Sequence, residues 1–227
     1  MHENALDLVR ASLLILGALF PIVNPLGNAP IFLTLTREFS GPTRSILARK
    51  IAINSFILLI VSILIGMHIL AFFGISLPVV QLGGGMVVLA TSWKLLTQKD
   101  DDGSGWHESG LKPRTPSSAV LSQRAFYPLT LPLTVGPGSI SVAITVGANR
   151  TPMSSEDWPS MVATVIGPAL LALSVYLSYR FADSIARLLG ETAMNVVNRL
   201  SSFILLCIGV QISWNGASAL LRSVIVR

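Results

Sequence analysis

Cysteine, charged residues and acidic residues away from segment ends are all scarce in this chain of 227 residues. Only 12% of the residues are charged, whereas about a quarter is usual in soluble domains. The single cysteine, Cys207, excludes an internal disulfide and a cysteine-type metal site, so its expected role is packing. Nothing resembles a nucleophile with its base, a phosphate-binding loop or a metal-ligand cluster, and we therefore do not expect an enzyme.

Apolar residues are abundant instead. They make up 52% of the chain, and the mean hydropathy is +0.68. A helix needs about 20 apolar residues to cross the hydrocarbon core of a membrane. The sequence predicts an all-α membrane protein with six transmembrane helices. The apolar segments lie near residues 7–36, 50–73, 77–97, 118–148, 159–181 and 199–223.

The formal net charge of +5 reflects where the basic residues stand. Lys and Arg are concentrated in the connections between segments 1 and 2, 3 and 4, and 5 and 6, whereas the turn between segments 2 and 3 has none. Cytoplasmic loops of membrane proteins carry such an excess. The pattern predicts that both termini are periplasmic. The expected partner is the lipid bilayer, and nucleic acid is not expected.

The first segment is interrupted at residues 21–30, which contain three prolines, one glycine and two asparagines. Pro25 and Pro30 each remove a backbone donor, and the residue before each proline is disfavoured in the helical conformation. We therefore predict a break in this helix. Freed carbonyl groups in hydrocarbon need partners from protein or water, so such a break is expected to line a cavity.

The fourth segment carries a similar interruption at residues 128–140. Each interruption lies in the first segment of a three-segment half, and an odd number of crossings gives the two halves opposite orientations. The sequence thus predicts a 3+3 inverted repeat in one membrane domain, with helices 1 and 4 interrupted. The first repeat covers residues 1–97, a cytoplasmic linker covers 98–122, and the second repeat covers 123–227.

Both breaks are followed by a proline that can begin a new half-helix. The unpaired amides of such a helix start bind anions, notably carboxylates, and neighbouring glycines let a ligand reach the backbone. Because the halves are inverted, the two starts are expected to meet near the bilayer centre. The expected partner there is a small-molecule substrate with a carboxylate or similar group. The predicted substrate-binding residues are Asn24, Pro25, Gly27, Asn28, Gly136, Pro137, Gly138 and Ser139.

All eleven acidic residues lie in termini, loops or segment ends, so no buried carboxylate is expected to carry a proton or balance a cation. This argues against a cation-selective channel and a carboxylate-based proton pump. Asn54, Gln81 and Gln211 are interpreted as interhelical hydrogen-bonding groups. No cofactor or metal is expected. Coupling to Na⁺ or H⁺ is left open, and so is a homo-oligomer.

Three groups of residues form a specific combination. They are Asn24-Pro25-x-Gly27-x-x-Pro30-x-Phe32, then Pro128 and Pro132 followed by Gly136-Pro137-Gly138-x-Ile140, and Val210-Gln211 with Asn215-Gly216. Together they resemble the MarC family of six-helix bacterial inner-membrane proteins over nearly the whole chain. The resemblance implies a secondary transporter of small neutral amino acids, such as glycine and alanine, in the bacterial inner (cytoplasmic) membrane. An exporter of another small metabolite or drug, and a non-transporting structural membrane protein, are the alternatives.

Overall fold

The structure is a computed structural model that describes residues 2–97, 117–149 and 158–225. These residues form helices joined by short connections, and residues 125–134 form wide, irregular helical turns. The helices are α1 (His2–Val23), α2 (Pro25–Leu35), α3 (Gly41–Phe72), α4 (Leu77–Thr97), α5 (Ser118–Arg124), α6 (Pro137–Ala148), α7 (Trp158–Arg180) and α8 (Ala182–Ile225). Most of the predicted linker, residues 98–116, lies outside the described residues, and its last residues belong to α5.

Five of the described helices are long and apolar enough to cross a membrane. A sixth span is formed if Ser118–Thr134 and Pro137–Ala148, which meet at 72°, count as one bent crossing. The prediction of an all-α membrane protein is therefore confirmed, with five or six candidate spans. Helix α2 has 11 residues and is about 16 Å long, too short to cross a bilayer alone.

The interruption of the first segment is narrower than the sequence suggests. The helix continues through Pro21 to Val23 and resumes at Pro25, so that only Asn24, with φ 45° and ψ 60°, leaves the helical conformation. A proline inside a helix removes one hydrogen bond without having to end the helix, which explains why Pro21 and Pro30 both lie within helices. Asparagine is one of the few residues that adopt the left-handed conformation readily.

The last helix begins earlier than predicted, at Ala182 instead of near residue 199. Charged residues such as Asp183 and Arg187 made this stretch look like a connection, but it is helical up to a kink at Gly190. Gly190 has φ 71°, a value that glycine accepts without steric strain. The part that is apolar enough to span a membrane is Asn195–Ile225.

Helices α3 and α7 pack against each other in the centre of the molecule, and α4 packs mainly against α8 and α6. The core is built from buried apolar side chains of the central helices, among them Leu19, Phe32, Ile51, Leu59, Leu171 and Val175. Glycines allow the backbones of α4 and α8 to touch: a Cβ atom on Gly209 would lie 2.8 Å from the nitrogen of Leu89, and one on Gly216 would lie 2.5 Å from the oxygen of Pro78. Membrane helices commonly associate through small residues in this way.

Candidate functional site

The first break is closed by its own residue, Asn24. Its side-chain Oδ1 accepts a hydrogen bond from the amide of Gly27 at 3.2 Å, and its carbonyl accepts one from the amide of Asn28 at 3.0 Å. A Cβ atom on Gly27 would lie 2.8 Å from Oδ1 of Asn24, so glycine is needed for this close contact. The first turn of α2 therefore has an internal cap, a common arrangement for asparagine at a helix start.

Asn28 connects the two breaks. Its side chain is buried, and Nδ2 donates to the carbonyl of Val23 at 2.9 Å and to the carbonyl of Leu133 at 3.1 Å. Val23 is the last residue of α1, and Leu133 belongs to the irregular segment of the second half. One side-chain amide thus satisfies a carbonyl from each break, which is what freed carbonyls in the membrane interior require.

The second break extends over the irregular segment, residues 125–134. Tyr127 and Leu131 have extended dihedral angles, as is usual before proline. Their peptide bonds to Pro128 and Pro132 are cis. The chain turns by 72° between the end of this segment and α6.

Threonine hydroxyls donate to backbone carbonyls in the irregular segment. Oγ1 of Thr130 donates to the carbonyl of Ala125 at 2.6 Å, and Oγ1 of Thr134 donates to that of Leu129 at 2.7 Å. Thr134 also shares a hydrogen bond of 2.9 Å with the hydroxyl of Tyr179 on α7. Local side-chain hydrogen bonds of this kind stabilise backbone that cannot complete a regular helix.

The start of α6 differs from that of α2, because no side chain caps it. Gly136, the residue before the helix, is extended at φ −90° and ψ 179°, and its carbonyl accepts from the amide of Ile140 at 3.1 Å. Within the described parts of the chain, no hydrogen bond is formed by the amides of Gly138 and Ser139. Both residues are buried, and Ser139 is 2% exposed. This helix start offers free donors inside the protein.

Gly138 and Gly84 bring the start of α6 against α4. A Cβ atom on Gly138 would collide with the side chain of Val88, and one on Gly84 would lie 2.5 Å from the Cβ of Ser141. Space around the free amides is therefore small. Gly27 and Gly138 each allow a close approach, but to different neighbours, namely the cap side chain of Asn24 and helix α4.

The predicted site residues of the first break form one group, and among the described residues no hydrogen bond joins them to the predicted residues of the second break, 136–139. Asn24, Gly27 and Asn28 form one hydrogen-bonded group, which Asn28 ties to the second break, and α1 also contacts α6. Pro25, Gly138 and Ser139 are buried, whereas Pro137 is exposed.

Tyr179 is a central residue that the sequence did not single out. Its side chain is 1% exposed, and its ring is stacked on Phe32 of α2 with centroids 4.6 Å apart and planes at 8°. Through Phe32 and Thr134 it contacts elements of both halves. In the sequence this tyrosine stands next to Arg180 at the end of an apolar segment. Tyrosines at the membrane–water interface have the same position, so the sequence does not indicate that this one is buried.

The other polar residues of the spans behave differently from one another. Asn54 donates to Thr130 at 3.5 Å and Gln81 to Thr145 at 3.3 Å, so both form the predicted interhelical hydrogen bonds. Gln211 instead donates at 2.9 Å to Asn215 of its own helix. In the part of the chain that the structure describes, no cluster of His, Cys, Asp and Glu could hold a metal ion.

Two ion pairs join the halves beside the basic connections. Nη1 of Arg44 lies 2.8 and 2.6 Å from the carboxylate oxygens of Asp183, and Arg124 pairs with Glu38. Arg44 also donates from Nε to the carbonyl of Phe39 at 3.1 Å.

Comparison with known proteins agrees with this architecture. A model of the MarC family of integral membrane proteins matches residues 10–221. The chain is 31% identical over 221 residues to the inner membrane protein MarC of Escherichia coli O157:H7, covering 96% of this chain and 99% of that protein. It is 30% identical over 193 residues to the membrane protein YvbG of Bacillus subtilis, covering 85% and 87%. No solved structure matches. The chain therefore belongs to the MarC family of integral membrane proteins.

Proposed function

We propose that this protein is a secondary transporter of small neutral amino acids, such as glycine and alanine, in the bacterial inner membrane. The observation that carries the proposal is the start of α6, where the amides of Gly138 and Ser139 have no acceptor among the described residues although both residues are buried. Free amides at a helix start favour a carboxylate, because they donate hydrogen bonds and stand at the positive end of the helix dipole.

The first break completes the site in this proposal. Oδ1 of Asn24 already occupies the position on α2 that a carboxylate oxygen would take, since it accepts from Gly27. When substrate enters, Asn24 exchanges this bond for one to the substrate, and Gly27 becomes available to the ligand. Asn28 keeps the two breaks at a fixed distance through its bonds to Val23 and Leu133.

Small substrates fit this site better than large ones. A Cβ atom on Gly138 would collide with Val88, and one on Gly84 would lie 2.5 Å from the Cβ atom of Ser141, so α6 and α4 are in close contact beside these amides. A ligand bound at the amides of Gly138 and Ser139 therefore has little room for a side chain. This favours glycine and alanine over larger amino acids.

The packing of the helices supports a 3+3 inverted repeat. In such a repeat α1 corresponds to the irregular segment, α2 to α6, α3 to α7 and α4 to α8. The contact of α3 with α6 then has its counterpart in the contact of α7 with α2. The contact of α4 with α6 likewise has its counterpart in the contact of α8 with α2. The pairs α3 with α7 and α4 with α8 correspond to themselves. Such repeats alternate access by rocking one half against the other around a central site, with both termini here on the periplasmic side. The ion pairs Arg44–Asp183 and Glu38–Arg124 would open in the inward-facing state.

Uptake and counterflow of labelled glycine and alanine into proteoliposomes test the proposal, with an imposed Na⁺ or H⁺ gradient to identify a coupling ion. We expect saturable flux that unlabelled alanine inhibits and that alaninamide, which lacks the carboxylate, does not. Absence of saturable flux would contradict the transporter. Thermal stabilisation of the detergent-solubilised protein by alanine is the complementary test, because a purely structural membrane protein has no reason to respond.

A further inference from the structure

Among the five unbroken candidate spans, helix α8 has the smallest share of buried residues. Within its most apolar window only 17% of residues are buried, compared with 39% in α7. Its main neighbour is α4, which covers one side. The uncovered side is a continuous face, because its exposed residues recur every three or four positions. We call this the α8 outer face, formed by Phe203, Cys207, Val210, Gln211, Trp214 and Asn215.

Two carboxamides stand in the middle of the α8 outer face. Nε2 of Gln211 donates to Oδ1 of Asn215 at 2.9 Å, and both side chains are exposed. This bond uses the Gln211 nitrogen and the Asn215 oxygen. The side-chain oxygen of Gln211 and the side-chain nitrogen of Asn215 can therefore bond to other partners. In hydrocarbon, polar groups without partners are costly, and an apolar residue is the ordinary occupant of a lipid-facing position.

The pair lies deep in the membrane. Gly85 is close to the middle of α4, Leu77–Thr97, and a Cβ atom on it would lie 2.5 Å from the nitrogen of Ser213 and 2.9 Å from the oxygen of Gly209. Gln211 is between these two residues of α8, so it is at the level of the centre of α4. Water at the membrane surface is therefore not a partner for it.

We propose that the α8 outer face is the interface of a homodimer, in which Gln211 and Asn215 bond to the same residues of a second copy. Two copies inserted with the same topology are related by a two-fold axis along the membrane normal, so identical residues meet at identical depth. A carboxamide carries both donors and an acceptor, and it is therefore complementary to its own copy. Val210 and Trp214, which are 54% and 63% exposed, surround the pair with apolar contact area.

The dimer is tested by counting subunits in liposomes over a series of lipid dilutions, using single-molecule photobleaching. We expect the wild-type protein to dimerise, and Gln211→Leu with Asn215→Leu to raise the dissociation constant at least about tenfold. The single variant Gln211→Leu, expected to weaken the dimer less, serves if the double variant fails to fold. Thr91→Leu is the matched control, because Thr91 is also a polar residue exposed on a membrane helix but lies on α4, outside the α8 outer face.

Cys207 gives a second readout without engineering, since it is the only cysteine, is exposed, and lies one helical turn from Gln211. A short bis-maleimide should link two copies in native membranes. Cys207→Ser should abolish the product, and moving the cysteine to exposed Leu173 of α7 should not restore it. A monomer at all dilutions, a dimer as tight in Gln211→Leu/Asn215→Leu as in wild type, or a Cys207 product with a different protein would overturn the proposal.

Discussion

The two helix breaks of this protein interrupt the chain in different ways. The first is one residue wide, and Asn24 caps the helix that follows. The second includes a segment of 10 residues in which two threonines donate to backbone carbonyls, yet the helix that follows begins without a side-chain cap. The difference shows that a break by itself does not make a binding site. A ligand can bind only to those amides that have no hydrogen bond within the protein.

The two breaks differ in whether their amides are free to bind a ligand. At α2 the amide of Gly27 is bonded to the cap side chain and would have to be released, whereas at α6 the amides of Gly138 and Ser139 have no acceptor among the described residues. Asn28 couples them, because it bonds to a carbonyl of each. Substitutions that affect one break and spare the other therefore test the account.

The largest effect is expected for Asn28→Leu, which removes both bonds to buried carbonyls. We expect the free energy of unfolding to fall by about 2–4 kcal/mol, since two acceptors lose their donor. Denaturant unfolding in detergent measures this. Thr34→Val is the control, because Thr34 is exposed and bonds only to Pro30 within α2. Equal stability of the two variants would show that Asn28 does not tie the breaks together.

Gly138→Ala should affect the second break alone, because the new methyl group meets Val88. Overpacking of this kind costs about 1–3 kcal/mol. Val88→Ala in the same protein should recover much of the loss, and a double-mutant cycle measures the coupling. Purely additive effects would mean that Gly138 does not contact α4 as described.

Asn24→Ala should destabilise the first break by about 1–2 kcal/mol, because the cap is lost and alanine resists the left-handed conformation. Asn24→Gly accepts that conformation and should cost only about 0.5 kcal/mol or less. The glycine variant is thus the cleaner test of transport, and we expect its flux to be reduced. Normal flux in Asn24→Gly would leave Asn24 as a cap and remove it from the substrate site.

Tyr179→Phe keeps the ring against Phe32 and removes the hydrogen bond to Thr134. We expect a loss of about 1 kcal/mol in unfolding free energy. Tyr176→Phe, in the preceding turn and only partly buried, is the control and should be close to neutral. A similar loss in both variants would argue that the bond does not hold the end of the irregular segment.

Much of this architecture follows from the sequence. Apolar segment length predicts the membrane helices, and the prolines at 25 and 137 predict where α2 and α6 begin. The width of the first break was not predictable from the prolines, because a helix tolerates Pro21 and Pro30 when neighbouring groups satisfy the freed carbonyls. The helical start of α8 was missed because its charges resemble those of a loop.

The hydrogen-bond and packing partners of the site residues depend on tertiary packing, so they could not be predicted from the sequence. Asn28 was predicted to hold a ligand, but its direction toward Leu133, 105 residues away, depends on how the halves dock. The same holds for Tyr179, which meets Thr134 and Phe32 only in the folded bundle. Gln211 lies one turn from Asn215, so a bond within α8 was available from spacing alone.

The most direct test of the account is to cap the second break and measure transport. Gly136 is extended, a conformation that serine accepts, and a serine hydroxyl there can accept a bond from the first turn of α6. A Cβ atom at this position would lie 3.2 Å from the carbonyl oxygen of Pro132, so the serine variant is compared with the alanine variant, which shares that contact. We expect Gly136→Ser to exceed Gly136→Ala in free energy of unfolding by about 0.5–1 kcal/mol and to have a lower apparent affinity for alanine in proteoliposomes. Gly136→Ala adds the same Cβ atom, without a cap, and should transport nearly as wild type does. Absence of saturable alanine uptake in the wild type, or identical uptake by the serine and alanine variants, would contradict the claim that free amides at α6 bind the substrate.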